Sequence, residues 1–472
     1  MIDKPHESCV TMWADFDLID ALLGGTKAMR RAAETYLPRR PLEEPDEYRA
    51  RLDFATLYPA YSETVATMVG RVFAEPLLLD DKTPEWIKTE VFPNIDLTGV
   101  NLHVFVYKWF EQAFNYGLSH VIVDNTNAAE VKTLADQKKA GVRPYCTRVS
   151  PRDVLGWRTD GAGKLTQLRV KFCVEEDDGD YGTHIVEQIR VYEVGKVSVH
   201  QKGDGGKWSL VQEIPVPGQD RIPIVTLYCN RTGFMIARPP LLELAQLNAK
   251  HWRMQSDNDM LVETASVPIL CTIGLDVEGE KSGITIGAKH GVNLPLDGDM
   301  KYVEHTGAAI GAGRTALDAL KDEMRQAGAK LLVFAEGVKT ATQSGEETRG
   351  ENSRLGGMVQ QLDDTLVDLA DLIAEQRGED KGGGAKAQPN LDPDMAPVES
   401  MTFLLSMRNS RVLSDETLFN EAKRRGLLEE ELEWEDEKTR IDESGMPPLP
   451  APGSKPPPEN DPANKPAPAK AA

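Results

Sequence analysis

Cysteine is scarce in this chain, aromatics are few and long apolar runs are missing, and each shortage excludes a class of protein. The five cysteines, at 9, 146, 173, 229 and 271, are scattered over 472 residues without a CxxC pair or neighbouring histidines. Such spacing suggests neither a zinc site nor a disulfide framework, so reduced thiols are the expectation. No segment approaches the roughly 20 apolar residues of a membrane span. The start MIDKPHESCVTMWADFDL lacks the basic residues and apolar core of a secretion signal. A soluble intracellular protein is expected, and 40% hydrophobic with 27% charged residues suits two or three globular domains.

Catalytic signatures are also missing. GLDVEGEKS at 274–282 departs from a phosphate-binding loop because Glu280 intervenes between the second glycine and the lysine. GAAIGAG at 307–313 is spaced G-x-x-x-G-x-G, unlike a dinucleotide loop, and no βαβ repeat surrounds it. The eight histidines form no metal or relay pairing; His120 beside an apolar strand is expected to be structural, and His251 and His305 to lie at a surface or interface. No GxSxG or comparable nucleophile motif occurs. The sequence offers no catalytic residue, metal site or cofactor.

The net charge of -21 argues against a protein that grips nucleic acid, since phosphate affinity comes from clustered Lys and Arg. It leaves two readings open. Acidity can simply maintain solubility, or it can line a channel through which DNA must slide without sticking.

What is present is a particular order of elements. Residues 1–45 read as a Pro-rich arm that packs on something else or stays loose. Val65, Met68, Val69 and Val72 mark one face of a helix from Glu47 to Ala74, and a second helix with Leu102, Phe105, Val106 and Trp109 runs to Gly117 and a strand HVIVD. Between 144 and 227 the period changes to two, predicting an antiparallel meander that RIPIVTLYCNRTG closes. A Pro-started helix follows at about 240–265, then β-prone pieces ILCTIG, GITIG and MKYVEH, then a helix beginning near Gly313 with Ala316, Leu317, Leu320, Met324 and Leu331 in register.

Beyond a polar loop, AEGVKTATQSGEET, a long helix repeats Leu355, Val359, Leu362, Leu366, Leu369 and Ile373 in steps of four and three, compatible with a coiled coil or a plain buried helix. GEDKGGGAKAQPN reads as a flexible connector, MTFLLSM as a strand, and 414–442 as charged helices with Ser414 capping. Ten prolines among the last 26 residues predict a disordered tail.

This order resembles the portal, or head-to-tail connector, proteins of tailed double-stranded DNA phages. YPAYSETVATMVGRVFAEPL resembles the early portal helix, NYGLSHVIVD the helix-to-strand step of the wing, and RIPIVTLY the strand leading to the stem. The resemblance spans roughly 47–445 and implies an α+β portal fold with an α/β wing, two-helix stem, small β-containing clip, tunnel loop, long helix and helical crown. In that layout 1–45 is an arm, 46–238 the wing, 239–265 a stem helix, 266–306 the clip and 307–331 the second stem helix. The tunnel loop is then 332–348, the long helix 349–378, a linker with a return strand of the wing 379–412, the crown 413–445 and the tail 446–472.

The resemblance further implies a ring of usually twelve copies at one capsid vertex, assembled in the host cytoplasm and carried in the virion. DNA passes through the ring non-specifically, and no membrane is involved. The terminase large subunit docks at the clip, followed by head-completion, adaptor or tail proteins, with capsid and scaffold proteins as further partners. Glu336, Lys339, Thr340 and Gln343 would face DNA from the tunnel loop. Arg314, Lys321, Arg325 and Lys330 would line the stem channel, although nearby Asp318, Asp322 and Glu323 make plain ion pairing an equal reading. Lys281, Lys289 and His290 would make the clip contacts. The competing reading is a soluble nucleotide-binding enzyme using the Gly-rich 307–313 segment, which calls for the parallel α/β core that the meander contradicts.

Overall fold

The computed structural model describes residues 1–126, 143–179, 181–203, 205–216, 220–266, 269–273, 299–303, 308–332, 353–391, 404–410, 412–424, 428 and 432–443. The chain divides into two units, Met1–Leu391 and Asp392–Ala472. The expectation of mixed helix and antiparallel strand holds. Among the described residues no helix is long and apolar enough to cross a membrane.

The N-terminal residues, expected to be an arm that packs on something else or stays loose, are helical and packed on their own chain. Helix α1 (Glu7–Leu23) buries Cys9, Met12, Phe16, Ile19 and Leu22, and α2 (Gly25–Ala32) buries Met29. Those α1 positions recur at helical spacing, so the stripe finds a core to cover it. The single helix expected from Glu47 to Ala74 is two, α3 (Pro45–Phe54) and α4 (Ala60–Val72). Pro59 separates them: it lacks an N–H and disfavours helical backbone at Tyr58.

Strand β1 (Glu75–Leu79) precedes α5 (Leu102–Tyr116), whose Asn101 cap accepts from the Val104 N–H at 3.0 Å. The helix ends at Gly117, φ +87°, where a Cβ would lie 2.5 Å from the Arg238 carbonyl oxygen, so glycine is required twice over. Strand β2 (Leu118–Asn125) follows, buried from Leu118 to Val123.

The meander is present as β4 (Val154–Thr159), β5 (Leu165–Asp178), β6 (Gly182–Glu193), β7 (Lys196–Lys202) and β8 (Trp208–Pro215), in sequential order. RIPIVTLYCNRTG does not close it. Its strand β9 (Ile224–Tyr228) joins a separate sheet of order β3-β2-β9, with β3 at Pro144–Val149 and Leu118 opposite Tyr228. A strand as apolar on both faces as β2 needs partners along both edges, and β9 supplies the second. The short β10 (Arg231–Gly233) and β11 (Ile236–Ala237) lead on to α6 (Leu242–Ala265), β12 (Ile269–Ile273), β13 (Asp299–Val303) and α7 (Ala308–Ala329).

Helix α8 (Arg354–Glu375) begins at Ser353, whose side chain accepts from the Gly356 N–H at 3.0 Å. Its whole four-three stripe is buried in the largest core beside residues of α4, α5 and β9, so the plain buried helix is the correct alternative. The supposed flexible connector is also packed. Strand β14 (Ala385–Gln388) pairs with β1, Leu79 opposite Ala385, and the Gly382 N–H donates to Asp371 Oδ1 at 2.8 Å. A Cβ on Gly382 would sit 1.8 Å from the Ala370 carbonyl oxygen, so glycine serves close approach there and not flexibility.

In the second unit, residues 404–409 are helical where MTFLLSM suggested a strand. Leucine, methionine and arginine without a β-branched partner favour helix. Two helices occupy the expected crown segment, α9 (Asp415–Arg424) and α10 (Trp434–Glu443), and the Phe419 and Trp434 rings meet at 5.5 Å. Ser414 caps α9 as expected, accepting from the Thr417 N–H at 3.1 Å. The tail at 446–472 lies outside the described residues.

Candidate functional site

The site is the helical hairpin α6–α7 with the strand pair at its far end. The two helices run antiparallel side by side: Glu243 reaches Lys330 at 3.9 Å, and Asn258 Oδ1 lies where a Cβ on Gly313 would be, 2.6 Å away. At ~1.5 Å per residue, the rise between those two contacts is on the order of 25 Å. Strands β12 and β13 pair from Ile269 opposite Val303 to Ile273 opposite Asp299.

The near half of the hairpin is anchored. Leu242, Leu244, Ala245, Asn248, Ala249, His251, Trp252 and Ser256 are buried on α6, and Leu317, Leu320, Met324 and Leu331 on or just after α7. Asn248 is fully buried and clamps the break before α4: its Oδ1 accepts from the Tyr61 N–H at 3.0 Å and its Nδ2 donates to the Tyr58 carbonyl at 2.9 Å. The first amides of a helix lack partners within it, and Pro59 at the N-cap position has no capping side chain. Asn248 acts as that cap from another helix.

A second anchor is ionic. Arg51 on α3 donates to both oxygens of Glu43, at 2.6 and 2.8 Å, with side-chain exposures of 2% and 5%. Arg40 bonds Asp257 of α6 through Nε at 3.2 Å, and Arg51 Nη1 stands 3.9 Å from the same carboxylate. The Arg51 hydrogen bonds hold the Glu43 carboxyl below its usual range. These residues, with Asn248, escaped the sequence reading because the contacts that define them span up to 217 positions.

His251 was expected at a surface or interface, yet it is 1% exposed inside its own chain with Tyr58 5.2 Å away. Burial and the nearby Lys321 cation depress its pKa. His120 is buried as expected, its Nδ1 2.9 Å from Thr226 Oγ1.

The far half is different. From Asp257 to Ala265 no side chain is buried, and neither is any from Ala309 to Ala316. Leu261, Val262 and Ile273 are 40%, 40% and 50% exposed. The hairpin therefore leaves the α+β body with apolar surface that its own chain does not cover.

The four candidate channel residues do not form one group. Lys321 is half-buried, 3.5 Å from Asp318 and over the Tyr58 ring at 5.6 Å, so it faces its own chain. Arg325 pairs with Asp322 at 2.7 Å and Lys330 with Glu243, while Arg314 is exposed without a carboxylate partner among the described residues. Ion pairing thus accounts for three of them. Lys281, Lys289, His290, His305, Glu336, Lys339, Thr340 and Gln343 lie outside the described residues. The Gly-rich segment starts α7, with 308–313 helical, so it does not offer the loop that a nucleotide phosphate needs. Among the described residues no cluster of His, Cys, Asp or Glu is arranged to hold a metal.

Residues 240–376, from the start of α6 to the end of α8, match a family described as a domain of unknown function, DUF4055. No curated protein matches. Solved structures of a gene transfer agent (GTA) particle are similar. A chain in the virion of the native GTA particle shares 13% identity over 82% of this chain and 96% of that one, with a TM-score of 0.41. Chains in the neck of the empty particle computed with C6 symmetry and the neck of the native particle computed with C12 symmetry show the same identity and coverage, at TM-scores of 0.40 and 0.39.

Proposed function

We propose that this chain is a portal protein: a non-enzymatic ring component through which double-stranded DNA passes into and out of a phage-type capsid. The observation that carries the reading is the hairpin. Two antiparallel helices are clamped at one end to an α+β body, bare at the other and tipped by a strand pair, and the long buried helix α8 follows in sequence. An isolated chain gains nothing from a bare, partly apolar helix pair, whereas a ring of copies covers it on both sides.

In this reading α6 and α7 form the stem and β12–β13 the base of the clip. Residues 332–348 form the tunnel loop, with Glu336, Lys339, Thr340 and Gln343 toward DNA. Clip residues Lys281, Lys289 and His290 meet the terminase and later an adaptor or tail protein. Arg314 is the one of the four stem cations without a carboxylate partner among the described residues, and Arg325 lies exposed beside Asp322 on the same helix. A net charge of -21 suits a wall past which a duplex slides.

Mass photometry with negative-stain imaging of the purified chain tests this. Rings of about a dozen copies with a central hole are expected. A uniform monomer or dimer at micromolar concentration refutes it.

A further inference from the structure

The outer surface of α6 carries a small cavity against α3, where Asp259 Oδ1 accepts from Gln255 Nε2 at 2.6 Å. It measures about 70 Å³ and is lined by Ala50, Arg51, Phe54 and Ala55 of α3 and its end, and by Ser256, Asp259, Met260 and Glu263 of α6. Ser256 is 3% exposed, and its Oγ has no hydrogen-bond partner among the described residues. Phe54 stands at the rim, 74% exposed. The charge around the cavity is acidic: Arg51 and Arg40 are matched by Glu43 and Asp257, which leaves Asp259 and Glu263 over.

Position along the hairpin points to an occupant. Asn258 faces α7, so at 100° per residue Ser256, Met260 and Glu263 lie on the opposite side of α6. On α7, Gly313 faces α6, which sets the exposed Arg314 about a quarter-turn to the side of that contact, on the flank that also carries Lys321. Arg314 is the residue next to Gly313 and therefore stands level with Asp257, beside the cavity's height. Rotation about a ring axis preserves height along that axis. With the hairpin running along the axis, α7 of one copy stands beside the cavity face of α6 in the next, and the long Arg314 side chain, level with the cavity, reaches its mouth from the flank.

We infer that Arg314 of one copy docks into the α3–α6 cavity of its neighbour. The guanidinium pairs with Glu263 and Asp259, donates to the Ser256 hydroxyl and lays its stem against Phe54 and Met260. Small neighbours on α7, Gly311, Ala312, Gly313 and Ala316, let the two helices approach closely. The inference rests on the ring reading above and names the contact that closes the ring.

Charge reversal tests it on the full chain. Arg314→Glu and Glu263→Arg, both at exposed positions, should each raise the concentration at which rings dissociate by about tenfold or more, without moving the thermal unfolding midpoint of the dissociated chain. In a homo-oligomer every interface of the double variant carries both changes, so E263R/R314E should return to within about threefold of the original. Rings of both single variants as dilution-resistant as the parent overturn the contact while leaving the ring reading intact, as does a double variant no better than its parents. A parent chain that forms no ring overturns the ring reading and this inference together.

Discussion

Replacing Asn248 with alanine tests whether the hairpin is anchored through the start of α4. The side chain is fully buried and makes two hydrogen bonds, both to backbone groups flanking Pro59: the Tyr61 N–H at 3.0 Å and the Tyr58 carbonyl at 2.9 Å. Truncation leaves the buried Tyr61 N–H unpaired, at about 1–3 kcal/mol less whatever water recovers, while the Tyr58 carbonyl keeps the Ala60 N–H at 2.9 Å. The expected loss is about 1–3 kcal/mol, read as a lower urea midpoint at unchanged slope. Asn248→Asp keeps the acceptor for Tyr61 but sets a carboxylate against the Tyr58 carbonyl, so it should rescue nothing. Urea unfolding followed by tryptophan fluorescence reads the loss, the buried Trp252 on the same helix being one of seven tryptophans that contribute. An alanine variant within about 0.5 kcal/mol of the parent would refute the anchoring argument, since it would mean the amide bonds are replaced at no cost.

Removing one member of the Arg51–Glu43 pair, as in Arg51→Met, should cost about 3–5 kcal/mol by leaving a buried carboxylate unpaired, measured by the same urea titration. Because Arg51 holds the Glu43 carboxyl below the ordinary glutamate value of 4.5, its contribution is fully present above that pH and is lost as pH falls through the lower folded value. A titration of stability between pH 5 and 3 should therefore be shallower in Glu43→Gln. Gly382→Ala should destabilise by about 2 kcal/mol or more in thermal unfolding, since its Cβ meets main-chain atoms that cannot swing aside. Native thiol labelling should modify exposed Cys173 readily and spare Cys9, Cys146 and Cys229, whose pKa values burial raises, in Cys9 to about 11. Deleting residues 336–346 should leave rings intact in negative stain and impair DNA packaging, and loss of the ring would overturn the loop assignment.

The parts of the fold legible in the sequence were those with strong local periodicity. The α5 stripe from Leu102 to Phe114, the α8 stripe from Leu355 to Ile373 and the alternation in β5 and β6 are each fixed by neighbours within a few turns or one hairpin, and each is found as read. Failures arose where a distant partner decides. The Gly-rich run at 382–384 has the composition of a loose linker, and only the proximity of Ala370 and Thr83 makes it a tight passage. IVTLY reads equally well as a sixth meander strand or as the partner of β2, and the sequence does not say which edge is free. Within the site, the helices and their order were legible. The clamp was not, because Glu43, Arg51, Asp257 and Asn248 look like ordinary surface residues until three helices bring them together.

The division of the hairpin into an anchored and a bare half makes substitutions there separable. Along α6, a change at Asn248, Trp252 or Ser256 acts on groups buried within the chain and should register first as lost stability. A change at Leu261, Val262 or Glu263 removes little that the isolated chain uses, because those side chains are exposed. If copies associate through that half, such changes should leave the unfolding midpoint of the dissociated chain in place and shift assembly. A scan of α6 reading both quantities would locate the crossover, which the burial pattern sets between Ser256 and Asp257. A scan in which Leu261→Asp and Val262→Asp altered neither stability nor assembly would leave the bare half without a partner. That result would count against every reading in which this surface is covered.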